Sequence, residues 1–303
     1  MLRIARYFFS LFILGFLIYY ICLNREAVSV NEIIQHKKSV GASILSLMVS
    51  FLAGGFGWVL ILKKMGLEAP KARTLRAWFL SQVGKYVPGK IWGTVSRLYL
   101  FQENVNKVKV GYSIFLEMVL INITGFSLFL FSLIFWNPAI PGFGKKYIWS
   151  AAAIPFMLVL LHPSIMEKAV NVVLLRMKKD PIEVRLNSRQ IVELFLYYIF
   201  FWCIYGLSFG ILASAFIETN IRSLLIFSGI YVFSVVVGVV SVISPGGLGV
   251  REGVLSVLLS AYMPTHTAVY ISIVSRIWFT LVELGMVLFF LLWRKQKSMK
   301  EAA

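Results

Sequence analysis

Seven ionisable residues of this sequence lie well away from the ends of otherwise apolar stretches, where a charge needs a partner or a function. They comprise four cations and three carboxylates, namely Lys85, Lys90, Arg251, Arg276, Glu117, Glu252 and Glu283. A charge at the centre of a membrane-spanning helix costs on the order of 2.5 to 3.5 kcal/mol even on lenient insertion scales. Since the cations outnumber the carboxylates by one, the sequence predicts a site that binds an anion.

Two breaks rich in glycine and proline lie beside these charges. The first, at residues 88–89, lies between Lys85 and Lys90, and the second, at residues 244–249, directly precedes Arg251. Proline removes a helix hydrogen bond and glycine permits a sharp change of direction, so neither segment continues as a regular helix. The backbone N–H groups exposed at such breaks can point at an anion, which favours a phosphate-binding site.

The predicted substrate-binding site combines the charges with the residues of the breaks. We expect Arg97, at the cytoplasmic edge of the first broken segment, to contact the anion as it arrives. The candidate set is Lys85, Pro88, Gly89, Lys90, Arg97, Glu117, Pro245, Gly246, Gly247, Gly249, Arg251, Glu252, Arg276 and Glu283. The alternative is structural: a break of this kind also serves as a kink or packing site, and Glu252 with Arg276 or Glu283 with Arg251 would lock a hairpin to a span.

The elements that must position these residues are membrane helices. Of the 303 residues, 59% are apolar and only 14% are charged, and the mean hydropathy is +0.82. A typical soluble chain is about 25% charged, so this composition excludes a soluble enzyme. The formal net charge of +17 does not indicate nucleic-acid binding, because the basic residues lie in short loops between apolar stretches.

Six uninterrupted and two interrupted apolar segments follow one another along the chain. The uninterrupted segments are predicted to be full spans, at residues 7–23, 41–62, 110–136, 147–162, 191–217 and 267–293. The interrupted segments, 74–101 and 224–262, are predicted to be re-entrant hairpins, the first because both of its arms are shorter than the about 20 residues that a span needs. For the second one, a full span followed by a short return helix is the alternative. The predicted fold class is an all-α polytopic membrane protein.

Counts of lysine and arginine predict the orientation of these segments. With the N terminus in the cytoplasm and both interrupted segments re-entrant, the cytoplasmic stretches contain 20 basic residues and the outer stretches contain six. This bias follows the positive-inside rule. We therefore expect both termini to be cytoplasmic, together with the loop 163–190, which is predicted to hold a surface helix bound to anionic headgroups.

The same order of segments occurs twice within one integral membrane domain of residues 1–303. Each half, residues 1–144 and residues 145–303, contains two spans, a hairpin and a third span. Because three crossings per half is an odd number, the second half starts on the opposite side of the membrane. This is the inverted-repeat arrangement of secondary transporters, in which broken helices meet near the midplane and form the binding site.

Catalytic and metal-binding patterns are not found in the sequence. Asp180 is the single aspartate, and the three histidines, at positions 36, 162 and 266, are isolated from one another. An enzyme acting on a lipid phosphate would need an acid pair or a nucleophile with a base. Cys22 and Cys203 lie within apolar segments, so no disulfide is expected. The sequence predicts a protein that is not an enzyme and has no cofactor or bound metal.

Two motifs give the sequence a family resemblance. The run SQVGKYVPGKIWG at residues 81–93, followed by Arg97, and the run SPGGLGVREG at residues 244–253, with Arg276 later, resemble the membrane region of the lysylphosphatidylglycerol synthase/flippase family. The resemblance covers essentially the whole chain and implies a prokaryotic cytoplasmic membrane protein associated with moving a charged lipid between leaflets. Members with the full architecture carry a cytosolic aminoacyl transferase domain after this region. A stand-alone form without aminoacyl transfer is therefore expected.

The expected function is translocation of an anionic phospholipid or a polyprenyl-phosphate-type lipid between leaflets. The runner-up is a non-transporting accessory subunit that holds a lipid-linked glycan for a partner glycosyltransferase, since stand-alone relatives accompany glycolipid or polysaccharide assembly. An enzyme acting on a lipid phosphate is disfavoured by the missing acid pair. A homo-oligomer is compatible with either of the first two functions.

The predicted topology is testable by cysteine labelling from each side of the membrane. Single cysteines in residues 163–190 should react with an impermeant maleimide only from the cytoplasm, and those in 137–146 and 218–223 only from outside, because the basic residues divide in that way. Labelling is measured in intact cells and in inverted vesicles, in a variant that lacks Cys22 and Cys203. Outside labelling at any position of 163–190 contradicts the inverted repeat.

Overall fold

The fold is that of a computed structural model of the chain. It describes residues 35–67, 69–86, 92–101, 106–136, 161–176, 178, 180–184, 186–241, 245–247 and 249–301, with the side chains of 294–301 left out. The predicted span at 7–23 and nearly all of the span at 147–162 lie outside these residues. So do Pro88, Gly89 and Lys90.

The described residues form nine α-helices and no β-strand, which confirms the predicted all-α class. In chain order they are α1 (Lys37–Lys64), α2 (Lys71–Gln82), α3 (Trp92–Leu100), α4 (Lys107–Ser132), α5 (Pro163–Arg176), α6 (Ser188–Ala213), α7 (Ile221–Val240), α8 (Val250–Leu259) and α9 (Thr265–Glu301). Three short 3-10 turns follow α2, α4 and α7, at Val83–Tyr86, Leu133–Phe135 and Pro245–Gly247.

Five of these helices are long and apolar enough to cross a membrane, so the protein is a multi-pass membrane protein. They are α1, α4 with its extension to Phe135, α6, α7 and the part of α9 up to Trp293. Four of them coincide with predicted spans. The fifth, α7, is the first arm of the second interrupted segment. Its length and composition would allow a full span, which is the alternative given above for this segment.

Asparagine residues begin three of the long helices. The Asn106 side chain accepts hydrogen bonds from the backbone N–H groups of Val108 and Lys109 at the start of α4. Asn187 and Asn220 form reciprocal capping boxes at the starts of α6 and α7. Such caps satisfy N–H groups that the helix itself leaves without an acceptor, which defines where each helix starts.

Small residues on α1 let neighbouring helices approach closely. A Cβ atom at Gly54 would lie 3.0 Å from the Trp78 ring of α2, and one at Gly57 would lie 2.7 Å from the Tyr198 hydroxyl of α6. Glycine at such contacts is common between membrane helices, where association depends on close van der Waals packing. Helix α1 therefore packs closely against both α2 and α6.

Helices α2 and α3 form an antiparallel pair, which we name hairpin 1 (residues 71–100). Near its turn, a Cβ atom at Gly84 would lie 2.5 Å from the Gly93 nitrogen, so the two backbones touch. Further from the turn, Arg97 Nε donates a hydrogen bond to Ser81 Oγ at 3.1 Å. The two short helices thus run side by side and are joined through the predicted break.

Helices α7 and α8 form a second antiparallel pair, hairpin 2 (residues 221–259). At its turn the φ angles of Gly246, Gly247 and Gly249 are 62°, 72° and 80°, a left-handed region that favours glycine. A Cβ atom at Gly247 would lie 2.9 Å from the Gly238 Cα, which leaves no room for a side chain. The predicted break is therefore a turn that requires glycine.

The two hairpins approach α9 from its opposite ends. In hairpin 1, Phe79 stacks on Phe290 with ring centroids 4.2 Å apart, and Lys85, further along, pairs with Glu283. Hairpin 2 leads directly into the start of α9, and its turn reaches Arg276, whose guanidinium donates to the carbonyl of residue 246 at 3.3 Å. The two turns therefore meet beside the middle part of α9.

Replacing Gly84 by alanine should push the arms of hairpin 1 apart. The added Cβ would meet backbone atoms of Gly93 at 2.5 and 2.6 Å, and overpacking of this kind costs about 1–3 kcal/mol. We expect a lower midpoint of thermal unfolding in detergent. Gly111→Ala in α4 is the matched control, because nothing lies within 4 Å of its added Cβ. An unchanged midpoint for Gly84→Ala would show that the two arms are not in contact.

Candidate functional site

The candidate site lies where the two hairpin turns meet α9. The Tyr86 ring, at the end of the first 3-10 turn, would be 3.1 Å from a Cβ atom at Gly246 in the second turn. Pro88 and Gly89, the predicted tip of hairpin 1, lie outside the described residues, but the residues directly before them reach the tip of hairpin 2. The structure thus places Tyr86, two residues before the first predicted break, against the turn at the second.

Lys85 and Tyr86 of hairpin 1 share one carboxylate of α9. The Lys85 ammonium forms an ion pair with Glu283 Oε1, and the Tyr86 hydroxyl donates to Glu283 Oε2 at 2.6 Å. The Glu283 side chain is 2% exposed, whereas that of Lys85 is 33% exposed. Both carboxylate oxygens therefore have donors, and the buried charge of Glu283 is compensated.

Arg276 connects α9 to hairpin 2. Its two terminal nitrogens donate to the backbone carbonyl of Gly246, both at 3.3 Å, and its Nε lies 3.5 Å from Glu252 Oε1. The other oxygen of Glu252 accepts a hydrogen bond of 2.6 Å from the Gly249 N–H, at the start of α8. Glu252 thus caps α8 and faces a cation at the same time.

Arg251 is the one described cation of the cluster that has no ion pair with a described carboxylate. Its guanidinium lies 4.7 Å from the ring centroid of Tyr231 and 4.6 Å from that of Phe279, and it donates to the Tyr231 hydroxyl. It is 5% exposed. Within the described part of the chain, no carboxylate lies within ion-pair distance of it. The described contacts of its guanidinium are therefore with aromatic side chains.

The charges at the meeting point of the hairpins do not cancel. Among the described residues there, Lys85 is balanced by Glu283 and Arg276 by Glu252, and Arg251 remains. Lys85 and Arg251 lie 4.7 and 4.6 Å from the centroid of the same Phe279 ring, so the surplus charge belongs to one cluster. A buried, uncompensated charge is costly unless an opposite charge joins it. Chemically, this arrangement can bind an anion.

The structure places Arg97 and Glu117 in a separate pair. Arg97 is buried, forms an ion pair with Glu117 and lies 4.7 Å from the Trp58 ring centroid. Trp78 Nε1 donates to the second oxygen of Glu117 at 2.7 Å. The expectation that Arg97 lies at an accessible edge is therefore wrong. This ion pair joins hairpin 1 to α4, because Arg97 belongs to α3 and Glu117 belongs to α4.

The predicted alternatives for ion pairing have mixed outcomes. Glu252 does face Arg276, as one alternative proposed. The pair of Glu283 with Arg251 does not form, since Lys85 occupies Glu283 instead. Lys90 lies outside the described residues. Gly247 and Gly249 belong to the turn itself and to the N terminus of α8, where they supply backbone and no side chain. Pro245 begins the 3-10 turn of hairpin 2.

Sequence reasoning missed the aromatic residues that hold the cations. Phe279 lies three residues after Arg276 and four before Glu283, so helical spacing could have placed it on the same face of α9. Tyr86 lies two residues before the first break and could also have been found. Tyr231 is in the middle of an apolar stretch of α7 and carries no local signal. Its position stacked 4.2 Å from Phe209 is decided by tertiary packing.

A comparison with family models gives one match. The model described as the lysylphosphatidylglycerol synthase TM region matches residues 7–285, which is most of the chain. The matched region contains both hairpins and every charge of the candidate site. No curated protein matches the sequence significantly.

Substitutions of the two buried arginines should have unequal effects on stability. Arg97→Gln leaves Glu117 buried without its cation, a change that costs about 3–5 kcal/mol, so the midpoint of thermal unfolding in detergent should fall clearly. The double variant Arg97→Gln, Glu117→Gln should recover most of the loss. Arg251→Gln strands no carboxylate and should lower the midpoint less.

The opposite order of midpoints would contradict this assignment of partners. In particular, if Arg251→Gln were the less stable variant and Glu283→Gln restored it, Glu283 would be the partner of Arg251. Circular dichroism of each purified variant at the same detergent concentration provides the measurement.

Proposed function

The chain belongs to the family of the lysylphosphatidylglycerol synthase TM region, and on that premise we propose that it moves an anionic or phosphate-bearing lipid between the two leaflets of the membrane. It acts in this proposal as a transporter and not as an enzyme. The lipid is an anionic phospholipid or a polyprenyl-phosphate-type lipid.

The observation that carries the proposal is the position of Arg251. A buried guanidinium without a carboxylate, at the start of a helix that follows a glycine-rich turn, favours a bound anion, because helix N-termini and arginine both bind phosphate. This arginine lies where two broken helical segments meet, as binding sites of transporters with discontinuous helices do. The carboxylates nearby are already engaged with other cations.

We propose that both hairpins are re-entrant and enter from opposite leaflets. The order of contacts along α9 supports this arrangement: hairpin 1 touches Phe290 and then Glu283, whereas hairpin 2 reaches Arg276 from the start of α9. Arg276 is 11 residues after Thr265, or about 16 Å along the helix, roughly half of a hydrocarbon core of about 30 Å. The cluster would then lie near the midplane, as an inverted repeat requires.

The orientation proposed from the basic residues is compatible with the packing of the helix ends. The end of α1 and the first turns of α6 lie together, joined by the ion pair of Lys64 with Glu193. The end of α4 and the start of α7 lie together elsewhere, where Arg222 donates to the carbonyl of Phe135 at 2.7 Å. We assign the first group of ends to the cytoplasm and the second to the outside of a prokaryotic cytoplasmic membrane.

In the proposed mechanism the headgroup phosphate binds Arg251, and Lys85 and Arg276 lie beside it. The acyl chains stay in the bilayer. Among the described residues, one ion pair joins each hairpin to α9, Lys85 with Glu283 in one case and Glu252 with Arg276 in the other. Rocking of the two halves would open one of these contacts at a time, so the headgroup reaches one leaflet or the other.

Arg251→Gln should abolish lipid movement while the protein stays folded. Glutamine keeps hydrogen-bonding capacity but removes the charge that attracts the phosphate, so the transport rate should fall by about two orders of magnitude, as loss of an interaction worth about 3 kcal/mol implies. The assay follows fluorescent phosphatidylglycerol between leaflets of proteoliposomes by dithionite quenching. Lys107→Gln, which removes an exposed lysine of α4, is the charge-matched control and should transport normally.

Two outcomes would overturn the proposal. A folded Arg251→Gln variant with normal transport removes this residue from the site. Wild-type protein that moves no lipid in either direction, but binds it, favours an accessory subunit that holds lipid for a separate enzyme.

A further inference from the structure

We infer that the exposed face of α5 is a second lipid-binding surface, which lies in the headgroup region of the membrane and selects anionic phospholipids. The predicted surface helix of residues 163–190 is α5, and its two sides differ in burial and in charge. This surface is separate from the site at the hairpin turns, so the inference goes beyond the proposed transport and does not depend on it.

The two sides of α5 alternate at helical spacing. Pro163, Met166 and Leu174 are buried. Four apolar side chains on the other side have exposed fractions between 43% and 61%, and they are Ile165, Val172, Val173 and Leu175. Positions seven and eight apart lie on one side of a helix. Helix α5 therefore packs with one side and presents apolar surface on the other.

The charges of α5 are divided between the same two sides. Its basic residues, Lys168 and Arg176, are both exposed and lie three or four positions from exposed apolar side chains. Its single acidic residue, Glu167, is half-buried and lies four positions after the buried Pro163. The exposed face thus combines apolar and positively charged side chains. This composition is typical of helices that lie at a membrane interface and bind anionic lipids.

The fold places α5 where membrane spans end. His162, directly before α5, has its Nε2 atom 3.5 Å from Oγ of Ser188, the first residue of α6. The first turns of α6 are joined to the end of α1 by the ion pair of Lys64 with Glu193. With its 14 residues, α5 is about 21 Å long, which is too short to cross a hydrocarbon core of about 30 Å. It therefore starts at the level of the headgroups.

Two hydrogen bonds fix α5 to the segment that follows it. Asn171 Nδ2 donates to the carbonyl of Ile182 at 3.0 Å, and the Ile182 N–H donates to Asn171 Oδ1 at 2.8 Å. The Ile182 side chain is buried. The direction of the exposed face is therefore set by the fold. Its apolar side chains can enter the boundary of the acyl chains while Lys168 and Arg176 extend to the headgroups.

The test measures which lipids touch this face. Val172→Cys, in a full chain that lacks Cys22 and Cys203, is labelled with bimane and placed in vesicles of equal parts phosphatidylcholine and phosphatidylglycerol, with bromine on one lipid or the other. Bromine quenches bimane only at short range. Both lipids should quench, and phosphatidylglycerol should quench at least about twofold more, because each basic residue near an anionic surface favours binding by about fivefold. Glu183→Cys, exposed after α5, is the control position and should be quenched weakly.

Charge variants separate headgroup selection from apolar contact. Lys168→Gln, Arg176→Gln in the Val172→Cys chain removes both cations of α5, so the ratio of quenching by the two lipids should fall to about one while quenching by phosphatidylcholine remains. Lys37→Gln, Lys38→Gln removes two exposed cations at the start of α1 and is the matched control. It should keep the ratio, because that start lies a full span away from α5.

Three results would overturn the inference, and none of them bears on lipid transport, which is measured separately. If neither lipid quenches bimane at position 172, protein covers this face. Dilution of the protein in lipid then distinguishes a second copy of the chain, which dissociates, from a segment of the same chain. If both lipids quench equally in the chain with Lys168 and Arg176 present, the face does not select charge. If the ratio survives the loss of these two residues, other cations select the headgroup.

Discussion

Helix α9 carries Arg276 and Glu283 two turns apart, and each of them holds a different hairpin. Glu283 receives Lys85 and Tyr86 from hairpin 1, and Arg276 binds the Gly246 carbonyl and faces Glu252 of hairpin 2. Residues seven apart on a helix lie about 10 Å apart on nearly the same face. The two turns must therefore approach one side of α9 at adjacent levels, and the cluster around Arg251 exists because they do.

The two hairpins use a buried arginine in different ways. In hairpin 1, Arg97 lies on the Trp58 ring and has Glu117 of the following helix as its counter-charge. In hairpin 2, Arg251 contacts two aromatic rings, but the glutamate of the following helix, Glu283, is occupied by Lys85 from the other hairpin. Arg97 thus has a counter-charge and stabilises the packing of hairpin 1, whereas Arg251 has no ion pair among the described residues. That difference is the physical basis for assigning ligand binding to the second hairpin.

Aromatic side chains pack around Arg251, the cluster residue for which no ion pair is seen among the described residues. Tyr231 stacks on Phe209 and Tyr205 of α6, and Phe279 contacts Phe51 of α1, so the rings around Arg251 are parts of a layer that joins four helices. Cation–π contacts with desolvated rings are worth about 2 kcal/mol or more, which offsets part of the cost of a buried guanidinium. The proposed anion would offset the remaining cost.

The sequence by itself determined the all-α membrane class, the long helices of the described part and the glycine turn at 245–249, because hydropathy, span length and left-handed φ angles are local properties. It also identified the intramembrane charges, but its count of them assigned Glu117 to the wrong cations, because Glu117 pairs with Arg97. Which charge lacks a partner was decided only by tertiary structure: Lys85 reaches Glu283 across nearly two hundred residues of chain, and Arg97 is buried against Glu117 and not at an edge. Pairing of charges depends on which helices become neighbours, and no spacing along the chain encodes that when the partners lie on separate helices.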